Sequence, residues 1–366
     1  MAQTMKSVPL ESQHIAAGGK MVEFAGYSMP VQYTGIKEEH HAVRNRVGLF
    51  DVSHMGEVEF RGPDALAAVD RLITNDISNL VDGQAMYTAM CHENGGIVDD
   101  LVVYRLAQDR VFICVNAANR EKDFEHMKAH KMAGNFEMLD RGDEFAQLAI
   151  QGPLALQVVQ AITDIDAAAI PYYHAKDGKV AGIDCLVSRT GYTGEDGFEV
   201  YIPVAGVKAV FDGLMEAGTP VGMQLCGLGC RDTLRLESKF LLYGNDMNDE
   251  TNPLEAGLGW VTKLDRATNF VGKSAIQAIK TAGVTRRLRG LVLQDRGVIR
   301  HDYPIFVGDK EAGIVTSGGY SPTLEQSIGL GYIAVEHCDA ERVDIEIRGR
   351  RLSATTTKKP FYKRKD

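Results

Sequence analysis

The stretch Asn94-Gly95-Gly96-Ile97-Val98-Asp99-Asp100-Leu101-Val102-Val103-Tyr104 constrains this chain more than any other. It opens on Asn-Gly, the strongest short-range signal for a tight hairpin. Met86 to Cys91 before it, Ile97 to Arg105 within it and Val111 to Asn116 after it read as a three-strand meander. The middle strand is apolar except for two adjacent aspartates. Side chains alternate along a strand, so Asp99 and Asp100 face opposite ways. Asp99 shares a face with Ile97, Leu101 and Val103, and Asp100 with Val98, Val102 and Tyr104. Whichever face is core, one carboxylate stands among apolar neighbours, which is costly without a partner. It is either an acceptor of backbone N–H groups or a carboxylate held for a ligand proton.

The 366 residues exceed one ordinary core, so two or three domains are expected. The composition, 45% hydrophobic and 24% charged, is that of a globular chain, and a net charge of −9 gives no nucleic-acid footprint. The tail Lys358 to Asp366 runs against that balance, with five basic residues and one acid. It suits a solvated end, an anionic ligand or an acidic partner. Met1 to Lys6 carries no apolar leader, and the apolar stretch from Ala146 to Thr163 is broken by Gln151-Gly152-Pro153, so no membrane span is expected. The six cysteines, at 91, 114, 185, 226, 230 and 338, form no C-x-x-C pair. Scattered thiols fit a reducing, cytoplasmic setting.

Along the chain, Ser12 to Gly18 reads as a short helix or turn, and Lys20 to Val31 as an extended run. Helical spacing follows from Gly35 to Val47, then alternation from Phe50 to Phe60. Asp64 suits the cap of a helix ending at Leu72, and Asn119 the cap of one from Arg120 to His130. Strands are expected at Glu144 to Gln151, Ala181 to Arg189 and Gly197 to Ile202, and helices from Gly152-Pro153 to Ile162, from Val207 to Ala217 and from Leu228. Hairpins rather than regular βαβ units argue for an α+β fold. From Val284 onward, short strands and Gly-rich turns indicate an all-β C-terminal domain.

Several familiar chemistries are nearly present and fail. Gly272-Lys273-Ser274 lacks the leading glycine of a phosphate loop, since Ala267 stands there. Gly329-Leu330-Gly331-Tyr332-Ile333-Ala334 has dinucleotide-loop spacing but no helix to follow. His126 and His130 sit beside Lys128 and Lys131, as on a solvated helix face. Cys226 and Cys230 read as packing thiols. What remains is Glu199, which directly follows a Gly-rich loop as an exposed edge residue or a ligand carboxylate, Tyr172 as half-buried packing or a ligand ring, Tyr192 in a turn, and Arg231 at a helix start. A cation is awkward at a helix N-terminus unless an anion joins it. Such a set suits a flat heteroaromatic ligand with an anionic tail.

At these same residues the sequence resembles the aminomethyltransferase, or T-protein, family of the glycine cleavage system. The matching motifs are Phe24-Ala25-Gly26-Tyr27-Ser28-Met29-Pro30, Phe50-Asp51-Val52-Ser53-His54-Met55-Gly56, Asn94 to Tyr104, Ser188 to Glu199, Gly227-Leu228-Gly229-Cys230-Arg231-Asp232 and Thr251-Asn252-Pro253. Phe270-Val271-Gly272-Lys273 and Thr316 to Thr323 follow in the family's order. Cys230 stands where the family commonly has Ala.

The resemblance implies a three-domain cloverleaf around a tetrahydrofolate site. Residues 1–55 with 143–228 would form a discontinuous folate-binding domain, 56–142 with 229–283 a ferredoxin-like domain, and 284–366 a β-barrel or jelly roll. The implied reaction moves a methylene unit from aminomethyl-dihydrolipoyl H-protein to tetrahydrofolate and releases ammonia, with no metal, nucleotide, nucleic acid or membrane involved. Asp100 matches the family's catalytic aspartate, Glu199 the residue facing the pterin, and Arg231 a ligand-binding arginine serving a folate carboxylate. Tyr87, Tyr104, Tyr172 and Tyr192 would line the flat ring, with Asn116 and Met55 beside them. A basic residue near the C-terminus, Lys363 or Arg364, would meet folate. Two readings of the same fold compete: a folate-dependent demethylase, and a non-catalytic folate-binding protein of iron–sulfur assembly. The latter's Lys-Gly-Cys-Tyr-x-Gly-Gln-Glu motif finds no cysteine in Asn269 to Lys273. A fragment of a flavin-linked dehydrogenase would need a flavin domain that the sequence lacks.

Overall fold

The computed structural model describes residues 5–364, so the first four residues of the stretch read for a leader, and Lys365 and Asp366 of the tail, lie outside the described residues. The chain separates into two compact units. The first runs to Val69, then takes Ile77–Tyr87 and Leu101–Asp232; the second takes Asp70–Asp76, Thr88–Asp100 and the chain from Thr233.

In the first unit, β1 (Lys6–Ser7), β2 (Lys20–Phe24) and β3 (Tyr27–Gln32) form a small sheet in the order β1-β3-β2, with α1 (Glu11–Ala16) between β1 and β2. The extended run expected from Lys20 is therefore a hairpin, turning at Ala25 and Gly26, both with positive φ. After α2 (Ile36–Asn45) come β4 (Gly48–Asp51) and β5 (Gly56–Arg61). Phe50 to Phe60 is not one strand as its alternation suggested. The Asp51 carboxylate accepts the Ser53 N–H at 2.8 Å, an Asx-type turn that stops β4.

α3 (Ala65–Leu72), β6 (Gln84–Cys91), β7 (Ile97–Ala107), β8 (Arg110–Val115), α4 (Arg120–Ala129) and β9 (Glu137–Asp140) follow, giving a five-stranded sheet β6-β7-β8-β5-β9. The expected meander is thus present. Asn119 holds the N-cap position of α4, but its side chain makes no capping bond. β10 (Phe145–Gln151), α5 (Ala155–Ile162), β11 (Ala175–Val180), β12 (Ile183–Ser188), β13 (Gly197–Pro203), α6 (Val207–Gly218), β14 (Gln224–Leu225) and α7 (Leu228–Glu237) complete the set. The larger sheet has the order β11-β12-β13-β10-β4-β14.

Strand parity divides this sheet. Ala146, Leu148 and Ile150 of β10 and Phe198, Val200 and Ile202 of β13 form one buried cluster with Val158 and Val159 of α5 and Val210, Phe211 and Leu214 of α6. The alternate residues, among them Gln147, Gln151, Glu199 and Tyr201, are left for the other face. There Tyr201 and Leu186 share a second cluster with Ala85, Tyr104, Phe112 and Cys114 of the five-stranded sheet.

In the second unit, α8 (Lys273–Ala282) precedes a closed barrel of β15 (Arg286–Leu293), β16 (Pro304–Val307), β17 (Lys310–Ser321), β18 (Gln326–Ala334), β19 (Arg342–Ile347) and β20 (Arg350–Thr357), ordered β15-β18-β17-β16-β19-β20. Closure removes the sheet edges that an open sheet would expose. The Asn94-Gly95-Gly96 turn also belongs to this unit. Gly95 has φ +89°, and a Cβ on Gly96 would stand 1.8 Å from the Asp249 carbonyl oxygen, so neither accepts a side chain. Gly272 caps α8 and sends Lys273 back onto the Arg266 and Thr268 carbonyls, away from any phosphate-loop role.

Asp246 ties α7 to the barrel within this unit. It takes Arg235 at 2.7 Å, the Leu242 N–H at 3.0 Å and the Thr316 hydroxyl at 2.5 Å, while Arg235 reaches Ser317 at 2.9 Å. A β-bulge between Val315 and Ser317 lies at Thr316. Both charges are fully buried. Removing one leaves the other uncompensated, so Asp246→Ala should lower unfolding free energy by about 3–5 kcal/mol in denaturant titration. A loss below about 1 kcal/mol would show that the pair is not what holds this corner.

Candidate active site

The turn between β12 and β13 is closed by one side chain from β10. Gln151, fully buried, donates to the Thr190 and Phe198 carbonyls at 3.0 and 3.4 Å and accepts the Thr193 hydroxyl at 2.8 Å. Arg44 donates to the Thr193 carbonyl at 2.7 Å and to Glu195 at 2.8 Å. Arg189 clasps Asp196 with two bonds at 3.0 and 2.7 Å. The turn is therefore rigid, and it carries Tyr192.

Glu199 is not an edge residue. β13 is flanked on both sides, by β12 and β10, and the Glu199 side chain is only 8% exposed. Its Oε1 accepts Gln147 at 3.0 Å and its Oε2 accepts Thr190 at 2.6 Å. Because the Thr190 proton is committed to Glu199, the hydroxyls of Ser188 at 2.9 Å and Tyr104 at 3.3 Å donate to Thr190. Tyr104 is also 3.0 Å from the Tyr201 hydroxyl. The Tyr104 ring is 0% exposed, so it reaches this group through its hydroxyl rather than presenting a face to solvent. Burial, with Glu199 adding to it, pushes its phenol well up, which keeps it a donor.

Arg231 lies in the first turn of α7, with its guanidinium 4.8 Å over the Tyr192 ring. Its Nη1 is buried with no hydrogen-bond partner among the described residues. Cation–π stacking fixes the planar group while leaving an N–H edge to offer an anion. Nearby in effect is His54, fully buried, with Nδ1 likewise unpartnered among the described residues.

Asp99 is the fully buried member of the aspartate pair, among Ile97, Leu101 and Val103, while Asp100 on the opposite face of β7 is half-buried. Tyr87, Asn116 and Met55 are half-buried. Tyr172 is 59% exposed, its ring edge-on to Tyr173 at 5.0 Å. In the second unit the tail lies against the end of α7, with the Phe361 and Tyr362 N–H groups on the Glu237 carbonyl. Arg364 is half-buried there and Lys363 exposed. One group of possible metal ligands stands among the described residues, Glu39 with Cys226 and Cys230, their ligand atoms within 4.8 Å. The Glu39 carboxylate already accepts the N–H groups of Tyr33, Thr34, Gly35 and Gly227, so it acts as a cap for the start of α2.

Gln147, Gln151, Thr190 and Tyr201 were not singled out by sequence. A usable signal was present: two glutamines of the same parity inside the otherwise apolar Phe145 to Gln151.

The family described as the GCVT N-terminal domain matches residues 10–266, and the glycine cleavage T-protein C-terminal barrel domain matches residues 286–363. The chain belongs to the glycine cleavage T-protein family. It is 48% identical over 361 residues to an aminomethyltransferase of Desulfitobacterium hafniense (strain Y51), covering 98% of this chain and 99% of that one. An aminomethyltransferase of Geobacillus sp. (strain WCH70) is 46% identical at the same coverage. The crystal structure of glycine cleavage system aminomethyltransferase T from Bartonella henselae superposes with a TM-score of 0.92 at 31% identity, covering 98% of each chain. As a T-protein the chain is an aminomethyltransferase, an enzyme with tetrahydrofolate as co-substrate. No helix among the described residues is long and apolar enough to cross a membrane.

Burial, and then the Arg231 charge, hold the His54 imidazole down at about 4 from its ordinary 6.5, with Asp51 opposing. A depressed histidine stabilises the fold fully above about pH 6.5, and that stability is lost as pH falls toward 4, because the unfolded chain takes the proton first. His54→Asn should flatten the acid limb of the stability profile by up to roughly 3 kcal/mol across that window. Parallel profiles for the two proteins in pH-dependent denaturation would sink this account.

Proposed function

We propose that tetrahydrofolate is held by Glu199 and Arg231, and that Asp100 sets its N10–H for transfer of the methylene unit from aminomethyl-dihydrolipoyl H-protein. The observation that carries the proposal is Arg231, a partly buried guanidinium stacked on Tyr192 with an N–H edge uncommitted. At the start of α7 the helix dipole and this side chain both favour an anion, which suits a folate carboxylate.

Glu199, with both oxygens already oriented by Gln147 and Thr190, accepts the two parallel donors of the aminopyrimidine edge. Tyr192, Tyr172 and Tyr87 line the flat ring, with Met55 and Asn116 beside it. Tyr104 acts through Thr190 and is a positioning residue. Asp100, the more accessible of the two aspartates, accepts the N10 hydrogen and helps deliver a proton to departing ammonia. The balance is simple. The carbon leaves both sulfur and nitrogen and joins N5 and N10; of the two folate hydrogens lost, one goes to ammonia and one to the lipoyl thiol. The products are ammonia, 5,10-methylene-tetrahydrofolate and reduced lipoyl H-protein. Arg364 or Lys363 is the tail's contribution to folate, and the three-domain organisation belongs to the same proposal.

The test is methylene-tetrahydrofolate formation from aminomethyl-loaded H-protein. Asp100→Asn should lose about 100-fold or more in rate while binding tetrahydrofolate within about three-fold of wild type. Glu199→Gln should weaken that binding by about ten-fold or more. A wild-type protein that binds folate yet ignores loaded H-protein would refute the transferase assignment, and an active Asp100→Asn would refute the role of Asp100.

A further inference from the structure

Glu57 is a buried acid of the first unit that the proposed function leaves unused, and both of its carboxyl oxygens lack a hydrogen-bond partner among the described residues. It stands on β5 with 1% exposure, directly across the ladder from Cys114 of β8, which in turn pairs with Val102 of β7. Directly paired residues of antiparallel strands share a face. Glu57 therefore faces with Cys114, and Cys114 points onward, its thiol 3.6 Å from the Gln147 side-chain amide oxygen Oε1, while the nitrogen of that amide donates to Glu199 at 3.0 Å. The Cys114 thiol is pushed up by burial and then by Glu57 and Glu199 together, with Arg231 opposing, so all four groups act on one small region.

We propose that Glu57 is a further ligand-contacting residue of the folate site, its carboxyl group hydrogen-bonding the ring carbonyl of the bound pterin. The inference rests on the folate reading of Glu199. The aminopyrimidinone edge presents two donors and, next to them, one carbonyl acceptor. Glu199 answers the donors and cannot answer the acceptor, because both of its oxygens are acceptors already. Glu57 supplies what is missing. Burial holds its carboxyl well above the usual carboxylate range, against the Arg120 guanidinium, with Asp140 and Asp143 adding to the rise. Arg120 does not discharge it, since that guanidinium is engaged by the Tyr27 hydroxyl at 2.6 Å and Asp143 at 3.0 Å. A carboxylic acid that keeps its proton donates as well as accepts, and with no partner among the described residues to receive its hydrogen bond it gains one when a ligand arrives.

A purely structural Glu57 would behave differently from a ligand-binding one. Glu57→Met keeps the length and removes both functions. It should leave the melting temperature of the ligand-free protein unchanged or raised, because a buried unpartnered carboxyl is removed. It should weaken tetrahydrofolate binding, measured by calorimetry, by about ten-fold or more. Glu57→Gln, which still donates, should stay within about three-fold. Binding by Glu57→Met within about three-fold of wild type overturns the inference. Glu199→Gln is the control: if it too binds normally, the folate site itself is misassigned, whereas weak binding by Glu199→Gln alone removes only Glu57. Infrared difference spectra on the wild-type protein test the point without depending on how Glu57→Met folds. A protonated-carboxyl stretch should shift on adding tetrahydrofolate and be missing from Glu57→Gln; an unshifted band overturns the inference.

Discussion

The grip of the Gln151 amide on the β12–β13 turn is the constraint on which the candidate site depends. A Cβ on Gly191 or Gly197 would stand 2.0 and 2.5 Å from that amide, so the turn can approach it only because both positions lack a side chain. The approach fixes the Thr190 carbonyl, and with it the hydroxyl that Glu199 accepts. Tyr192 hangs from the same turn, and the Arg231 guanidinium of α7 stacks on its ring. One buried amide thus sets three groups on three elements, a precision that a solvated loop could not supply.

The inner face of the large sheet is unusual in carrying polar groups in the strand positions where cores are apolar. Each is tolerated because its polar atoms are committed. Gln147 and Gln151 spend their amides on backbone or on Glu199, and Thr190, Ser188, Tyr104 and Tyr201 pass hydroxyl donors along one line. Of the groups left without partners among the described residues, those on His54, Glu57 and Arg231 belong to the first unit. A fold does not retain unsatisfied buried polar atoms cheaply, which is why the Arg231 and Glu57 atoms carry the proposals made for them.

Periodicity made the meander, the helices of the first half and the β character of the C-terminal region legible, because alternation and helical spacing act within single elements. The parity of Asp99 and Asp100 followed from the same rule. Legibility ended where placement depends on residues far apart in the chain. Phe50 to Phe60 alternates without interruption, and only the Asp51 turn sends its halves into different sheets. Glu199 follows a Gly-rich loop and so resembled an edge residue, yet β13 is central because β10, some fifty residues earlier, pairs along its whole length. The helix from Lys273 to Ala282 also escaped notice; its apolar stripe is brief, and its N-terminus is a glycine in the left-handed region rather than a side-chain cap.

The path of the chain between the two units has a consequence for biosynthesis. The chain crosses between them within α3, after Asp76, within β6, within β7 and within α7. On a ribosome, the first unit has all its segments once residue 232 has emerged. The short segments Asp70–Asp76 and Thr88–Asp100 must wait for partners such as Asp249, Thr251 and Ile276, which are made more than a hundred residues later. The Asn94-Gly95-Gly96 turn and the start of β7, which carries Asp100, are thus among the last parts of the nascent chain to find their surroundings. No contiguous fragment holds either unit alone, so a prematurely terminated chain assembles the sheet that carries Glu199 without the support beneath Asp100.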